Sequence, residues 1–78
     1  MPHMTLKIAQ TCSDEKKKAF VDQMTRTMKE LFDVPEEQLS IDFLEFTPSD
    51  WVDRVYYYDV QPRAGALLKE PGYEIVSA

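Results

Sequence analysis

Met1-Pro2-His3-Met4-Thr5-Leu6-Lys7-Ile8 is the stretch of sequence from which the fold can be worked out. Met4, Leu6 and Ile8 alternate with polar residues, which is the period-two pattern of a strand with one buried face. The sequence therefore predicts a first strand that runs out from Pro2, and the rest of the chain can be placed around it.

Pro2 is a candidate general base. Met1 precedes a small residue, the usual context for methionine removal, and its removal leaves Pro2 as a free secondary amine. A general base works best when its pKa lies near the operating pH, and burial of an ammonium in apolar surroundings lowers its pKa. The alternative is a processed chain end without a catalytic role. A retained Met1 leaves Pro2 without an amine.

A long helix is predicted after the first strand. Ser13 followed by Asp14 and Glu15 is typical of an N-cap with acidic residues in the first turn, so we expect the helix to begin at Asp14. Proline in Asp33-Val34-Pro35 ends it. Apolar residues at spacings of three and four predict the buried face: Ala19, Phe20, Val21, Met24, Met28, Leu31 and Phe32.

A second strand follows the helix. Leu39, Ile41 and Phe43 alternate with polar residues, and Leu44 and Phe46 on the other face suggest cover on both sides. Strand, helix and strand predict an α/β (α+β) chain built on a β-α-β unit with parallel strands. Because two strands and one helix are too small to stand alone, a second subunit is expected to complete the sheet.

The C-terminal third begins with a helix start. In Thr47-Pro48-Ser49-Asp50, Thr47 is the predicted cap and Pro48 the first helical residue. The helical spacing then predicts that four residues share one face: Trp51, Arg54, Val55 and Tyr58. Pro62 interrupts this helix, and residues 63–69 are predicted to form another turn or two, giving short C-terminal helices. The start of the first strand would lie near the helix that begins at Pro48 or near a neighbouring subunit.

Composition excludes several classes of protein. The chain of 78 residues is one predicted domain, 1–78, with 44% hydrophobic and 29% charged residues, as in ordinary soluble proteins. No apolar run or leader-like segment is evident, so the expected compartment is the cytoplasm and no membrane partner is predicted. One cysteine and one histidine leave no ligand set for a metal. A net charge of −5 makes nucleic acid a poor partner.

The order and spacing of these segments resemble the 4-oxalocrotonate tautomerase-like family, and within it the small dimeric tautomerases with a C-terminal helical extension. The resemblance rests on Met1-Pro2-His3 before an alternating strand, the helix start at Ser13, the second strand, residues 47–51 and residues 66–73. It implies a four-stranded sheet formed in a homodimer, and an amino-terminal proline as general base in keto–enol tautomerisation of 2-oxo acids. No cofactor is implied.

The resemblance transfers to individual residues unevenly. Pro2 matches the catalytic proline, and Trp51 falls where the family has an active-site aromatic residue, although a core tryptophan would fit the position equally well. Family arginines that hold the substrate carboxylate correspond here to Cys12 and Ser40, neither of which reproduces bidentate recognition.

Other groups are therefore considered for the carboxylate. Arg54 is the first candidate and Arg63 the second, and the backbone N–H groups of residues 47–50 are a third possibility. Arg54 has the alternative role of a solvated partner of Asp50 or Asp53. His3 should point away from the base by strand alternation, while remaining close enough to tune the site.

The predicted function is that of a cofactor-free tautomerase acting on a monocarboxylate 2-oxo acid, such as phenylpyruvate, with Pro2 as base and Trp51, Arg54 and Ser40 binding the substrate. A small oligomeric binding or interaction module that has kept the fold and lost the chemistry is the alternative. Decarboxylation or hydrolytic dehalogenation of a three-carbon acid, also known in the superfamily, is a further enzymatic alternative.

Overall fold

The computed structural model describes residues 1–76. Its strands are β1 (His3–Ile8) and β2 (Ser40–Glu45), separated by the long helix α1 (Asp14–Phe32) and a 3-10 turn (Glu36–Gln38). The C-terminal part continues from the short helix α2 (Pro48–Trp51) into a π-helix (Val52–Val60) and ends its regular structure in a second 3-10 turn (Gln61–Arg63).

The two strands pair in parallel, which confirms the predicted β-α-β unit. The register sets His3 opposite Ser40 and Ile8 opposite Glu45. Burial alternates along both strands, and the less exposed face packs beneath α1, where the rings of Phe20 and Phe43 meet edge to face at 5.2 Å. The opposite face of the sheet is exposed and, apart from Leu44, polar.

Helix α1 begins and ends where the sequence predicts. Ser13 Oγ accepts a hydrogen bond from the Lys16 N–H at 3.2 Å, which satisfies one of the free donors of the first turn. At the other end Asp33 adopts φ 54° in the left-handed region, and its N–H donates to the Lys29 carbonyl at 3.0 Å. This αL cap turns the chain towards β2.

The predicted buried face of α1 is wrong at Ala19 and in its last turn. Ala19 is exposed, and Leu31 and Phe32 are 71% and 67% exposed. A helix of 19 residues is roughly 28 Å long, whereas a strand of six residues covers only about 20 Å. The end of α1 therefore overhangs the sheet, and Leu31 and Phe32 have no strand beneath them.

The C-terminal third follows its predicted start and then departs from prediction. Thr47 Oγ1 accepts the Asp50 N–H at 3.2 Å, as expected for a cap. From Val52 the chain winds as a π-helix, whose i→i+5 hydrogen bonds widen the turn. Residues three and four apart then no longer share a face. Val55 and Tyr56 are the buried pair at 4% exposure each, while Arg54 and Tyr58 are exposed, so the predicted common face is wrong.

The helical turn predicted for residues 63–69 is also wrong. Helical structure ends at Arg63, and the chain continues in turns and bends. Gly65 has φ 86°, a conformation outside the right-handed helix that suits glycine. Its N–H donates to the Glu70 carboxylate at 2.7 Å, which fixes a compact loop instead.

Tyr56 organises the packing of the C-terminal segment. Its ring centroid lies 6.3 Å from that of Trp51, 5.2 Å from that of Tyr57 and 6.1 Å from that of Tyr73. The Tyr56 hydroxyl accepts the Ile75 N–H at 3.2 Å. The last described residues are thus held against the π-helix. Among residues 1–76, no helix combines the length and apolar character needed to cross a bilayer.

Candidate active site

Pro2 lies at the open end of the sheet, immediately before β1. The residue is partly exposed, and its carbonyl accepts the Ser40 N–H at 3.3 Å, which extends the ladder between the strands to Pro2. Met1 precedes it and is fully exposed, so in this chain the Pro2 nitrogen is part of an amide bond. Removal of Met1 would leave the nitrogen as an amine at the tip of a strand whose position is already fixed.

His3, Ser40 and Thr5 form a hydrogen-bonded cluster on the exposed face of the sheet beside Pro2. His3 Nδ1 lies 2.6 Å from Ser40 Oγ, and His3 Nε2 lies 3.1 Å from Thr5 Oγ1. Of these three residues, Ser40 was predicted to bind the substrate and His3 to lie near the site, whereas Thr5 was not predicted. The alternation of β1 predicts that residues 3 and 5 lie on one face. The register that brings Ser40 next to them comes from the pairing of the two strands and cannot be obtained from either strand alone.

Trp51 lies at the opposite end of β1 from Pro2. Its indole N–H donates to the Lys7 carbonyl at 3.2 Å. Because a strand advances about 3.3 Å per residue, Lys7 is roughly 16 Å from Pro2 along β1. Within one chain, Pro2 is therefore far from the helix that begins at Pro48, so the predicted closeness to this helix is wrong for the single chain, and a neighbouring subunit stays a prediction.

Arg54 and Arg63 are both exposed. Within residues 1–76 neither arginine forms an ion pair, so the predicted pairing of Arg54 with Asp50 or Asp53 is absent there. Arg54 follows Trp51 and shares its distant position relative to Pro2. Both guanidinium groups are exposed and available to an anion, and Arg54 lies far from the Pro2 end of its own chain.

Cys12 belongs to a small network that closes the loop between β1 and α1. The Cys12 N–H donates to Glu45 Oε2 at 2.9 Å, and Lys17 forms an ion pair with the same carboxylate. The hydrogen bond from Lys17 and then that from the Cys12 N–H hold the pKa of Glu45 below its ordinary value. The hydrogen bond to Glu45 in turn raises the pKa of Lys17.

This network changes what the Cys12 position can do. The Glu45 carboxylate already occupies the donors at the start of α1, where an added anion would meet its negative charge. The Cys12 side chain is partly buried, with its sulfur 3.7 Å from Gln10 Nε2. The Cys12 N–H and the Lys17 ammonium are thus already engaged by Glu45 and are not free donors for the carboxylate of a substrate. No group of three or more His, Cys, Asp or Glu side chains in the described part of the chain is arranged to hold a metal ion.

Comparison with known proteins gives the family. No protein-family model matches the chain. The chain is 34% identical over 74 residues to "Tautomerase PptA" of Pectobacterium carotovorum, a match that covers 94% of this chain and 97% of the relative. The protein of the same name from Pectobacterium atrosepticum is also 34% identical, with the same coverage. A "Probable tautomerase" of Xylella fastidiosa is 32% identical over 73 residues, covering 94% of this chain and 89% of the relative.

These matches run through both strands, the connecting helix and the C-terminal segment, which agrees with the observed β-α-β unit. They identify the enzyme class as that of an isomerase of the tautomerase type. On this similarity and on its fold, the chain belongs to the 4-oxalocrotonate tautomerase-like family.

Proposed function

We propose that this tautomerase interconverts the enol and keto forms of a 2-oxo acid such as phenylpyruvate, with the Pro2 amine as general base. The observation that carries the proposal is the position of Pro2. It is partly exposed at the end of β1, and the Ser40 N–H holds its carbonyl. Once Met1 is removed, the nitrogen faces the space beyond the strand at a fixed location.

The chemistry needs only one group that takes and returns a proton. The neutral Pro2 nitrogen removes the proton of the enol hydroxyl, the electrons move to form the carbonyl, and the resulting ammonium protonates C3. Atoms and electrons balance without a cofactor, because the product is an isomer of the substrate. The net charge of −5 favours the ammonium and opposes this role. Burial of the Pro2 amine against a second subunit would offset this, because full burial lowers the pKa of an amine by up to 3–5 units and distant charges are screened beyond about 8 Å.

A second copy of the chain supplies the rest of the proposed site. The Pro2 and Ile8 carbonyls both bond to β2, so the even-numbered residues of β1 direct their backbone groups towards that strand. The backbone groups of His3 and Thr5 then point away from β2, along the unpaired edge of β1. At Lys7 this edge is already covered, because the Trp51 indole N–H donates to the Lys7 carbonyl. Antiparallel pairing of two β1 strands across His3 and Thr5 brings Trp51 of the partner subunit to the Pro2 end.

The exposed area of the single chain supports such a dimer. Its accessible surface is 6293 Å², whereas a folded monomeric protein of this size exposes about 4,900 Å². The excess of roughly 1,400 Å² exceeds the approximately 800 Å² that each partner buries in a standard interface. The exposed Leu31, Phe32 and Leu44 contribute to this surface. In the dimer, Trp51 forms an apolar wall of the site, and Arg54 accompanies it.

The test is the ketonisation of enol-phenylpyruvate, followed by absorbance, after intact mass has shown whether Met1 is absent. We expect the processed chain to turn over the enol, and we expect kcat/KM to fall at least a hundredfold in Pro2→Ala, the scale of general-base catalysis. A matched control keeps Pro2 and blocks its nitrogen with a short N-terminal extension, and it should lose activity as well.

Two outcomes would count against the proposal. Activity that survives the blocked nitrogen would exclude the amine as base. A processed chain that binds phenylpyruvate without turning it over would favour the binding module that has kept the fold and lost the chemistry. The replacement of the family arginines by Cys12 and Ser40 is the observation that keeps this second function under consideration.

A further inference from the structure

The cluster of His3, Ser40 and Thr5 has no role in the mechanism described so far. Both nitrogens of the His3 ring are in contact with hydroxyl oxygens, Nδ1 with Ser40 Oγ at 2.6 Å and Nε2 with Thr5 Oγ1 at 3.1 Å. All three side chains lie on the exposed face of the sheet and are open to solvent. The His3 ring is thereby fixed by two contacts in a place that a small molecule can reach.

This arrangement has the chemistry of an anion site. An imidazolium donates from both ring nitrogens, so each hydroxyl oxygen acts as acceptor and its own hydrogen is free to point elsewhere. With the ring in this form, the cluster presents two hydroxyl donors and the charge of the ring on one surface. Hydrogen bonds of this kind to a charged group are among the stronger ones in proteins.

The position of the cluster matches the geometry of the substrate. In a 2-oxo acid one carbon separates the carboxylate from C3, the atom that exchanges its proton, so the group that holds the carboxylate must lie next to the base. Ser40 meets this condition, since its N–H bonds to the Pro2 carbonyl at 3.3 Å and its Oγ contacts His3. Arg54 lies at the other end of β1 in its own chain.

We propose that His3, together with the Ser40 and Thr5 hydroxyls, holds the carboxylate of the 2-oxo acid beside Pro2, in the role that arginines have in better-studied relatives. The inference rests on the proposed function and names the substrate-binding group of that same site. The Ser40 and Thr5 hydroxyls contact the carboxylate, and His3 orients both hydroxyls from the two nitrogens of its ring, without taking part in the proton transfer.

The charges around the cluster limit the substrate to one carboxylate. Asp42 stands opposite Thr5 in the strand register, and its exposed side chain shares the face of the sheet with His3. Its carboxylate repels a second anionic group. Lys7, two residues after Thr5 on the same strand, forms an ion pair with Asp59, with 2.6 Å between Nζ and Oδ2. A monocarboxylate therefore fits this surface, whereas a dicarboxylate would meet Asp42.

The experiment compares the enol of phenylpyruvate with the enol of its methyl ester, which lacks the negative charge. In His3→Gln we expect KM for the acid to rise roughly tenfold or more with kcat nearly unchanged, because the Ser40 and Thr5 hydroxyls lose the ring that orients them, and one oriented hydrogen bond to a charged group is worth this much. KM for the ester should change less than twofold. Arg26→Gln removes one positive charge from the exposed surface of α1 and is the matched control, expected to match the wild type for both substrates.

Arg54→Gln is the competing variant. If KM rises for the acid alone in Arg54→Gln and does not rise in His3→Gln, the arginine holds the carboxylate and the inference is overturned. An equal rise in KM for acid and ester in His3→Gln would show that His3 only supports the structure, and this result would also overturn the inference. Circular dichroism of each variant checks that the fold is kept.

Equilibrium binding separates this inference from the proposed function. Phenylpyruvate is titrated into wild type and His3→Gln, and the His3 ring protons of the wild type are followed by NMR. A wild type that binds through His3 without turnover would reject the tautomerase proposal and support the anion site. Binding that is unchanged in His3→Gln, or no binding by the wild type, would reject the anion site whatever the turnover.

Discussion

Glu45 shows how a single side chain can link separate elements of the fold. Its carboxylate accepts the Cys12 N–H at 2.9 Å and pairs with Lys17, so it joins the end of β2 to the loop before α1 and to the first turns of that helix. This contact could not be predicted, because 33 positions separate Cys12 from Glu45 and neither belongs to a recognisable motif. The same network leaves Cys12 without the free donors that its position in the family suggested.

The pKa shifts of this pair predict a pH dependence of stability. The pKa of Glu45 is lowered in the folded chain, so its contribution is present above the ordinary pKa of a glutamate, about 4.3, and is lost as pH falls through the lowered value. The pKa of Lys17 is raised, so its contribution is present below the ordinary value for lysine, about 10.4, and is lost as pH rises through the raised value. We expect Glu45→Gln to lower Tm at neutral pH and to match the wild type in strong acid.

The measurement is a series of thermal unfolding curves of wild type and Glu45→Gln between acid and neutral pH. Glu37→Gln is the matched control, since Glu37 is exposed and makes no ion pair within the described residues. A Tm difference that persists unchanged in strong acid would contradict the account of Glu45.

At the scale of elements, local signals predicted beginnings and ends well. The cap at Ser13, the stop before Pro35 and the start at Thr47 all lie within a few residues of the groups that cause them. The burial of Leu31 and Phe32 was predicted wrongly, because periodicity gives the direction of a side chain but not the length of the sheet beneath it. The π-helix was missed for a related reason: the helical pattern assumes 3.6 residues per turn throughout.

Helix α1 provides a test of this local control. Ser13→Ala removes the oxygen that accepts the Lys16 N–H, and we expect the free energy of unfolding to fall by about 1 kcal/mol. Ser49→Ala, within α2, is the matched control, because the exposed Ser49 side chain makes no hydrogen bond within residues 1–76. Urea denaturation of both variants gives the comparison. An equal decrease in the free energy of unfolding of the two variants would show that the Ser13 cap makes no specific contribution to stability.

At the scale of the whole molecule, the candidate site could be predicted in part. Pro2 was proposed from the first two residues and from the resemblance, and Ser40 from the resemblance, because it stands where the family has an arginine. The separation of Pro2 from Trp51 could not be predicted, because it depends on the docking of the indole on the Lys7 carbonyl, a contact between residues 44 positions apart. That separation is what makes a second copy of the chain necessary to the proposed site.

The most direct test of this central claim is complementation between two inactive chains. Pro2→Ala and Trp51→Ala are each prepared without Met1, checked for fold and dimerisation, denatured together in equal amounts and refolded. In the proposed dimer a mixed pair has one site with both Pro2 and Trp51 intact, and one site that lacks both. Half of the dimers are mixed after random pairing, so we expect about a quarter of the wild-type activity to return. Activity no higher than the sum of the separately refolded variants would contradict a site shared between subunits.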